Sequence, residues 1–142
     1  MGKIIVSGAS GQFGHAAASQ LLDMGKQVIC LSRSTDKVAD LAARGAEVRA
    51  ADFDSPDGLE QAMAGGEKLL LISTTMVGQR PRQHGNAIAA AVAAGVKHIV
   101  YTSFIGADQG GNLLADDHRQ SEEFLRASGA KWNTRSCSVS NW

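Results

Sequence analysis

The sequence is short of the residues that staple, kink or anchor a chain: its 142 residues include two cysteines, two prolines, one tyrosine and two tryptophans. The cysteines, Cys30 and Cys137, stand far apart and match neither a metal-ligand nor a redox spacing, so a disulfide framework and a metal site are excluded and a reducing compartment is expected. Two inert thiols account for them. Net charge is also missing, with 14 basic and 14 acidic residues, so no global field draws the chain to nucleic acid or to an anionic membrane. A small molecule is the expected partner. No stretch approaches the roughly 20 apolar residues that a membrane helix needs. Met1 to Val6 enters an apolar run without a signal-peptide cleavage region, and a cytoplasmic location is the expectation.

What is present is an ordinary globular composition, 44% hydrophobic and 20% charged with 16 glycines, in a length with room for one domain. Short β-branched runs alternate with Ala- and Leu-rich stretches of helical period, the pattern of a parallel sheet wrapped by helices. Strands are predicted at Lys3-Ser7, Gln27-Ser32, Glu47-Ala50, Lys68-Ile72 and His98-Thr102. Helices are predicted at Gln12-Met24, Thr35-Arg44, Ser55-Met63, Pro81-Ala94 and Leu114-Ser128. Each is long enough for a right-handed crossover. The fold class is therefore α/β, a Rossmann-like doubly wound parallel sheet of strand order 3-2-1-4-5. Gly25, Gly45, Gly95 and Gly129 follow helical runs where a left-handed residue is wanted. Ser55-Pro56 reads as an N-cap with proline at the first helical position, and Pro81 sits where a helix can open. Residues 1–132 form the expected nucleotide-binding domain. The run Asn133 to Trp142 is a divergent tail, too polar for a central sixth strand, which is expected to be weak or absent.

Ile4-Ile5-Val6 leads into Gly8-Ala9-Ser10-Gly11-Gln12-Phe13-Gly14, and an Ala-rich helix follows. The spacing G-x-x-G-x-x-G differs from G-x-G-x-x-G, but strand, loop, helix and second strand fall in register. One glycine allows the tight turn, a second lets backbone N–H groups approach a pyrophosphate, and a third permits close helix-strand packing. The helix N-terminus then faces the anion with open donors. A purely structural turn is the alternative. About twenty residues on, where an acid would bind the ribose of NAD, stands Leu31-Ser32-Arg33-Ser34. Arg33 suits a 2′-phosphate, with Ser10, Ser32 or Ser34 adding hydroxyls, so NADP(H) is favoured over NAD(H). An ordinary exposed arginine is the other reading.

Three further segments reach the carboxyl edge of the predicted sheet, where ligands of such folds gather. In Asp52-Phe53-Asp54, Asp52 can accept from the adenine amino group and Phe53 can pack beside the ring, while Asp54 and Ser55 cap the next helix. Ser73, Thr74 and Thr75 would lie near the ribose and nicotinamide. Tyr101, Thr102 and Ser103 offer hydroxyls to a substrate or the carboxamide, although Tyr101 can equally face the core.

These motifs, together with Val77-Gly78-Gln79-Arg80, Gln83-His84, Gly95-Val96-Lys97-His98, Tyr101-Thr102-Ser103 and Leu114-Ala115-Asp116-Asp117-His118 followed by Glu122, resemble the atypical short-chain dehydrogenase/reductases of the NmrA-like type, in particular the NADPH-dependent quinone reductase branch. The resemblance implies an NADPH-binding fold and, in catalytic members, hydride delivery to quinones or related electron-poor acceptors. It also embraces redox-sensing regulators that bind the dinucleotide without turnover. The Tyr-x-x-x-Lys pair common to short-chain dehydrogenases is absent. His118 and Glu122 share one helix face at the corresponding place. His118 is either a proton donor to a reduced quinone or a helix-surface residue. Quinone reduction asks for little acid catalysis, since the position of the hydride matters most.

The likeness ends abruptly after Trp132, where relatives continue into an apolar strand and a substrate lobe, and a truncated or frameshifted coding sequence is expected. Three readings stay open: an oxidoreductase acting on a quinone-like acceptor, a cofactor-binding sensor without turnover, and a fragment with a formed but unused site. An uncovered sheet edge would favour self-association.

Overall fold

The computed structural model describes residues 2–72, 79–104 and 113–137. Six parallel strands form one sheet in the order β3-β2-β1-β4-β5-β6. They are β1 (Lys3–Val6), β2 (Val28–Ser32), β3 (Glu47–Ala50), β4 (Gly66–Leu71), β5 (His98–Phe104) and β6 (Lys131–Cys137). Between them run α1 (Gln12–Asp23), α2 (Ala39–Ala43), α3 (Leu59–Ala62), α4 (Arg80–Ala93) and α5 (Leu113–Ser128). This is the doubly wound, Rossmann-like arrangement that the alternating pattern predicts.

Both faces of the central sheet are covered, which is why β1, β2 and β4 carry apolar runs at residues 4–6, 28–31 and 69–71. On one face Ile5, Ile29, Leu31, Leu69, Leu71 and Ile99 pack against Leu59 of α3 and Met63 just after it, Ala87 and Ile88 of α4 and Leu125 of α5. On the other, Val6, Val28 and Cys30 meet Ala18 of α1 and Val38 and Leu41 beside and within α2. Successive residues of β1, β2 and β4 alternate between the two cores, as the pleat requires. Gly25, Gly45, Gly95 and Gly129 all hold positive φ at helix ends. Among the described residues no helix is long and apolar enough to cross a membrane.

Three expectations are corrected. The helix expected over Thr35-Arg44 opens as a 3-10 turn, Thr35–Val38, before α2. The helix expected from Ser55 is confined to Leu59–Ala62 and is preceded by Gly58 at φ 85°, with no side-chain cap. The Asp52 side chain accepts from the Asp54 N–H and its carbonyl from the Ser55 N–H, winding those residues into a turn of their own. Asp54 and Ser55 are therefore not helix caps. Finally, the sixth strand is present and well registered, from His98 opposite Lys131 to Phe104 opposite Cys137. It crosses the boundary expected at residue 132. Its polar composition accords with its place as an outer strand of the described sheet, where its ladder bonds to β5 come from the backbone. Trp132 still packs on the core under the Arg126 guanidinium, 5.5 Å above its ring, and Asn133 Oδ1 meets His98 Nε2 across the strands at 2.5 Å.

Candidate functional site

The glycine loop leaves the carboxyl end of β1 and turns directly into α1. Gly8 stands at φ 59°, a left-handed setting that costs other residues energy. Its carbonyl accepts the Gly11 N–H at 3.0 Å and lies beneath the first turn of α1. A Cβ on Gly14 would stand 2.2 Å from that carbonyl oxygen, so only glycine lets the helix start this close to the strand. The Ala9 N–H donates to the Leu31 carbonyl at 3.1 Å and ties the loop to β2. Gly11 is an extended N-cap without a capping side chain, and the first helical bond runs from the His15 N–H to its carbonyl. The amides of Gln12, Phe13 and Gly14 thus lie in the turn whose donors have no intrahelical acceptors. With Ser10, Gln12 and Phe13 exposed around it, this cradle fits a pyrophosphate in both shape and polarity.

Arg33 is exposed just past β2 and lines a cavity of about 250 Å³ together with Ala51, Asp52, Ser55 and Asp57. Ser32, by contrast, is buried. Its hydroxyl accepts the Ser34 N–H and donates to the Ser34 carbonyl, so it shapes the turn presenting Arg33 instead of adding a donor to the cavity. The loop, Arg33 and Asp52 therefore converge on one edge of the sheet. Phe53 does not join them: it packs against the core cluster and is absent from the cavity lining. Asp54 turns toward α4. Hydrogen bonds from the Gln83 amide and the Arg82 guanidinium hold its carboxyl below the usual carboxylate range.

Tyr101 and His118 meet outside the lining of that cavity. Tyr101 is fully buried, with its hydroxyl 2.6 Å from His118 Nδ1 and 3.3 Å from His84 Nδ1, and Ser121 Oγ lies 2.7 Å from the same His84 nitrogen. Arg80 and Asp117 face each other at 3.6 Å beside them, and Glu122 is buried too. The helix-surface reading of His118 is thereby overturned. Burial, then the Arg80 charge, lowers the His118 pKa to about 4 against the pull of Asp117. Burial, then the charges of His118 and Arg80, lowers His84 to about 3. Burial also pushes the Tyr101 hydroxyl above its ordinary value. Thr102 is buried. Ser73, Thr74 and Thr75 lie outside the described residues, as does the side chain of Ser103. The motif reading quoted Arg80, His84, Asp117 and Glu122 without giving them a role. Their helical spacing on two segments was the available signal.

A family model described as NAD(P)H-binding matches residues 8–134. The chain belongs to that family. Its sequence is 45% identical over 128 residues to quinone oxidoreductase 2 of Escherichia coli, covering 89% of this chain and 45% of the relative. The structure of the E. coli NADPH-dependent quinone oxidoreductase complexed with NADPH superposes with a TM-score of 0.85 at 43% identity, over 92% of this chain and 47% of that one. The triphenylmethane reductase of Citrobacter sp. gives a TM-score of 0.87 at 34% identity, over 94% and 48%. The resemblance inferred from the motifs to a quinone reductase branch is thus borne out for this NAD(P)H-binding domain. It spans about half the length of the curated relatives it matches.

Proposed function

We propose that this domain is the NADPH-binding part of an oxidoreductase that passes hydride to a quinone or a comparably electron-poor acceptor. The observation that carries the reading is the uncapped first turn of α1 held against Gly8 by Gly14, with Arg33 exposed one strand away. The first-turn amides and the positive end of α1 would hold the pyrophosphate. Arg33 would hold the 2′-phosphate through its forked donors. Asp52, whose Oδ1 already serves its own turn, would offer its second oxygen to the adenine amino group. Bound there, the dinucleotide supplies the hydride. Quinones and triphenylmethane dyes share a carbon framework short of electrons, which supports an acceptor of that class. Converting a quinone to its hydroquinone takes one hydride and one proton. His118, the candidate acid, is neutral near pH 7, so it would act by donating a ring N–H hydrogen bond to the acceptor oxygen while water supplies the proton, and the Tyr101 hydroxyl at Nδ1 would steady the imidazole.

Titration of the chain with NADPH and NADH, followed by nicotinamide fluorescence, tests the binding. NADPH is expected to bind at least about tenfold more tightly, and Arg33→Asp to erase that preference, since a charge-assisted contact is worth roughly 1.5–3 kcal/mol. Equal affinity for both dinucleotides would remove Arg33 from the site. NADPH oxidation with a panel of quinones then tests turnover, and a flat trace from a chain that binds cofactor would overturn the enzymatic reading.

A further inference from the structure

The turn after β3 has two faces. Asp52 and Ser55 line the cavity beside Arg33, whereas the residues between them are tied to α4. Asn86 Nδ2 donates to the Phe53 carbonyl at 2.8 Å, and Gln83 Nε2 donates to Asp54 Oδ1 at 3.1 Å. Arg82 reaches the same carboxylate oxygen at 2.6 Å from the solvent side. Gln83 is buried and Asn86 half-buried.

Two bonds within the turn, from the Asp54 N–H to Asp52 Oδ1 at 2.9 Å and from the Ser55 N–H to the Asp52 carbonyl at 3.0 Å, set its internal shape. They do not set where it sits above the sheet. That position is supplied by α4, through two side-chain amides whose burial is tolerable only while they are hydrogen-bonded. The cavity residues flank the tethered ones directly in sequence, so any drift of Phe53 or Asp54 relative to α4 moves the cavity wall. Neither Asn86 nor Gln83 lines the cavity.

We propose that Asn86 and Gln83 are positioning residues for the adenosine half of the dinucleotide, holding the Asp52–Ser55 turn from α4 so that its open face is preset to receive that half. This rests on the dinucleotide reading of the glycine loop. It assigns a share of cofactor affinity to a helix that the ligand does not touch, and the gain comes from preorganisation: a wall already in place need not be ordered on binding.

The test is the affinity of the chain for 2′,5′-ADP by titration calorimetry, at a temperature well below the Tm of every variant. Asn86→Asp keeps the side chain's shape but replaces its donor with an oxygen facing the Phe53 carbonyl. It is expected to weaken 2′,5′-ADP about tenfold, as the loss of a buried partner does. Asp54→Ala, at an exposed position on the same tether, leaves the core intact and decides the matter should Asn86→Asp fail to fold; a several-fold weakening is expected. A merely structural role predicts a lower Tm with unchanged affinity, and that result in the folded variants overturns the proposal. Should the unmutated chain itself fail to bind 2′,5′-ADP, the dinucleotide reading falls, and this inference with it. Should the unmutated chain bind and the variants match it, only the positioning role falls.

Discussion

Gly14→Ala is expected to abolish measurable dinucleotide binding while leaving a folded but weakened domain. The added Cβ would lie 2.2 Å from the Gly8 oxygen, 2.7 Å from the Gly8 carbonyl carbon and 3.1 Å from Ala9 Cα. All three are backbone atoms, so no rotamer relieves the overlap. The Gly8 carbonyl is also fixed by the Gly11 N–H. Alanine is favoured over glycine inside a helix by about 1 kcal/mol. Overpacking costs roughly 1–3 kcal/mol or more and outweighs that gain. The strain is relieved by moving the start of α1 away from β1, and that movement opens the cradle. Neighbouring glycines supply the scale. Alanine at Gly11 would put its Cβ 3.3 Å from the same oxygen, so a small loss of affinity is expected. Alanine at Gly8 would touch Ile72 Cβ at an ordinary 4.0 Å but must adopt φ near 59°, at a cost of about 1 kcal/mol or more. Urea unfolding and NADPH fluorescence titration of the three variants check the order, with Gly14→Ala the worst on both. Unchanged NADPH affinity in Gly14→Ala would remove the α1 terminus as the anion site.

The parts of this architecture that were legible in the sequence are those written in short-range pattern. The four inner strands, β2, β1, β4 and β5, follow from apolar runs, and the helix ends from glycines that take positive φ. The cradle follows because strand, loop and helix are contiguous. Contacts between distant segments were not legible. Nothing near Phe53 in sequence says that its carbonyl is met by Asn86 or that Asp54 is bound by Gln83, so Phe53 was placed beside a ligand and Asp54 on a helix end. α3 was overextended because Ser55-Pro56 is a good local start, whereas the Asp52 side chain captures the backbone first. β6 was judged by side chains suited to a sheet centre, and its pairing with β5 comes from the backbone. His118 was read on a helix surface or at a substrate because its partner Tyr101, and His84 on the far side of that hydroxyl, come from two other elements.

That buried cluster underlies the second large effect, a steep loss of stability on mild acidification. His84 from α4 and His118 from α5 are packed with Tyr101 from β5, with Arg80 from α4 and with Asp117, Ser121 and Glu122 from α5. Their folded pKa values fall to about 3 and about 4, against about 6.5 for an exposed histidine. Between those limits the unfolded chain binds protons that the folded chain refuses, so stability is full above about pH 6.5 and declines as the pH drops toward 4. The slope approaches about 1.4 kcal/mol per pH unit for each histidine. For a domain whose whole stability is of order 5–15 kcal/mol, two such groups are enough to bring unfolding into mildly acidic conditions. Asp117 opposes the effect at His118 by favouring an imidazolium, but the cost of burying new charge and the Arg80 guanidinium outweigh it. Urea midpoints at pH 7 and pH 5 measure this directly. A large fall is expected for the unmutated chain and a much smaller one for the double variant His84→Gln/His118→Gln, which keeps hydrogen-bonding capacity without a titrating ring. Equal midpoints at the two pH values in the unmutated chain would mean that the cluster accepts protons freely, contrary to its burial. Because α4 carries His84 together with Gln83 and Asn86, protonation loosens the same helix that holds the cavity wall, and cofactor affinity is expected to weaken over the same interval.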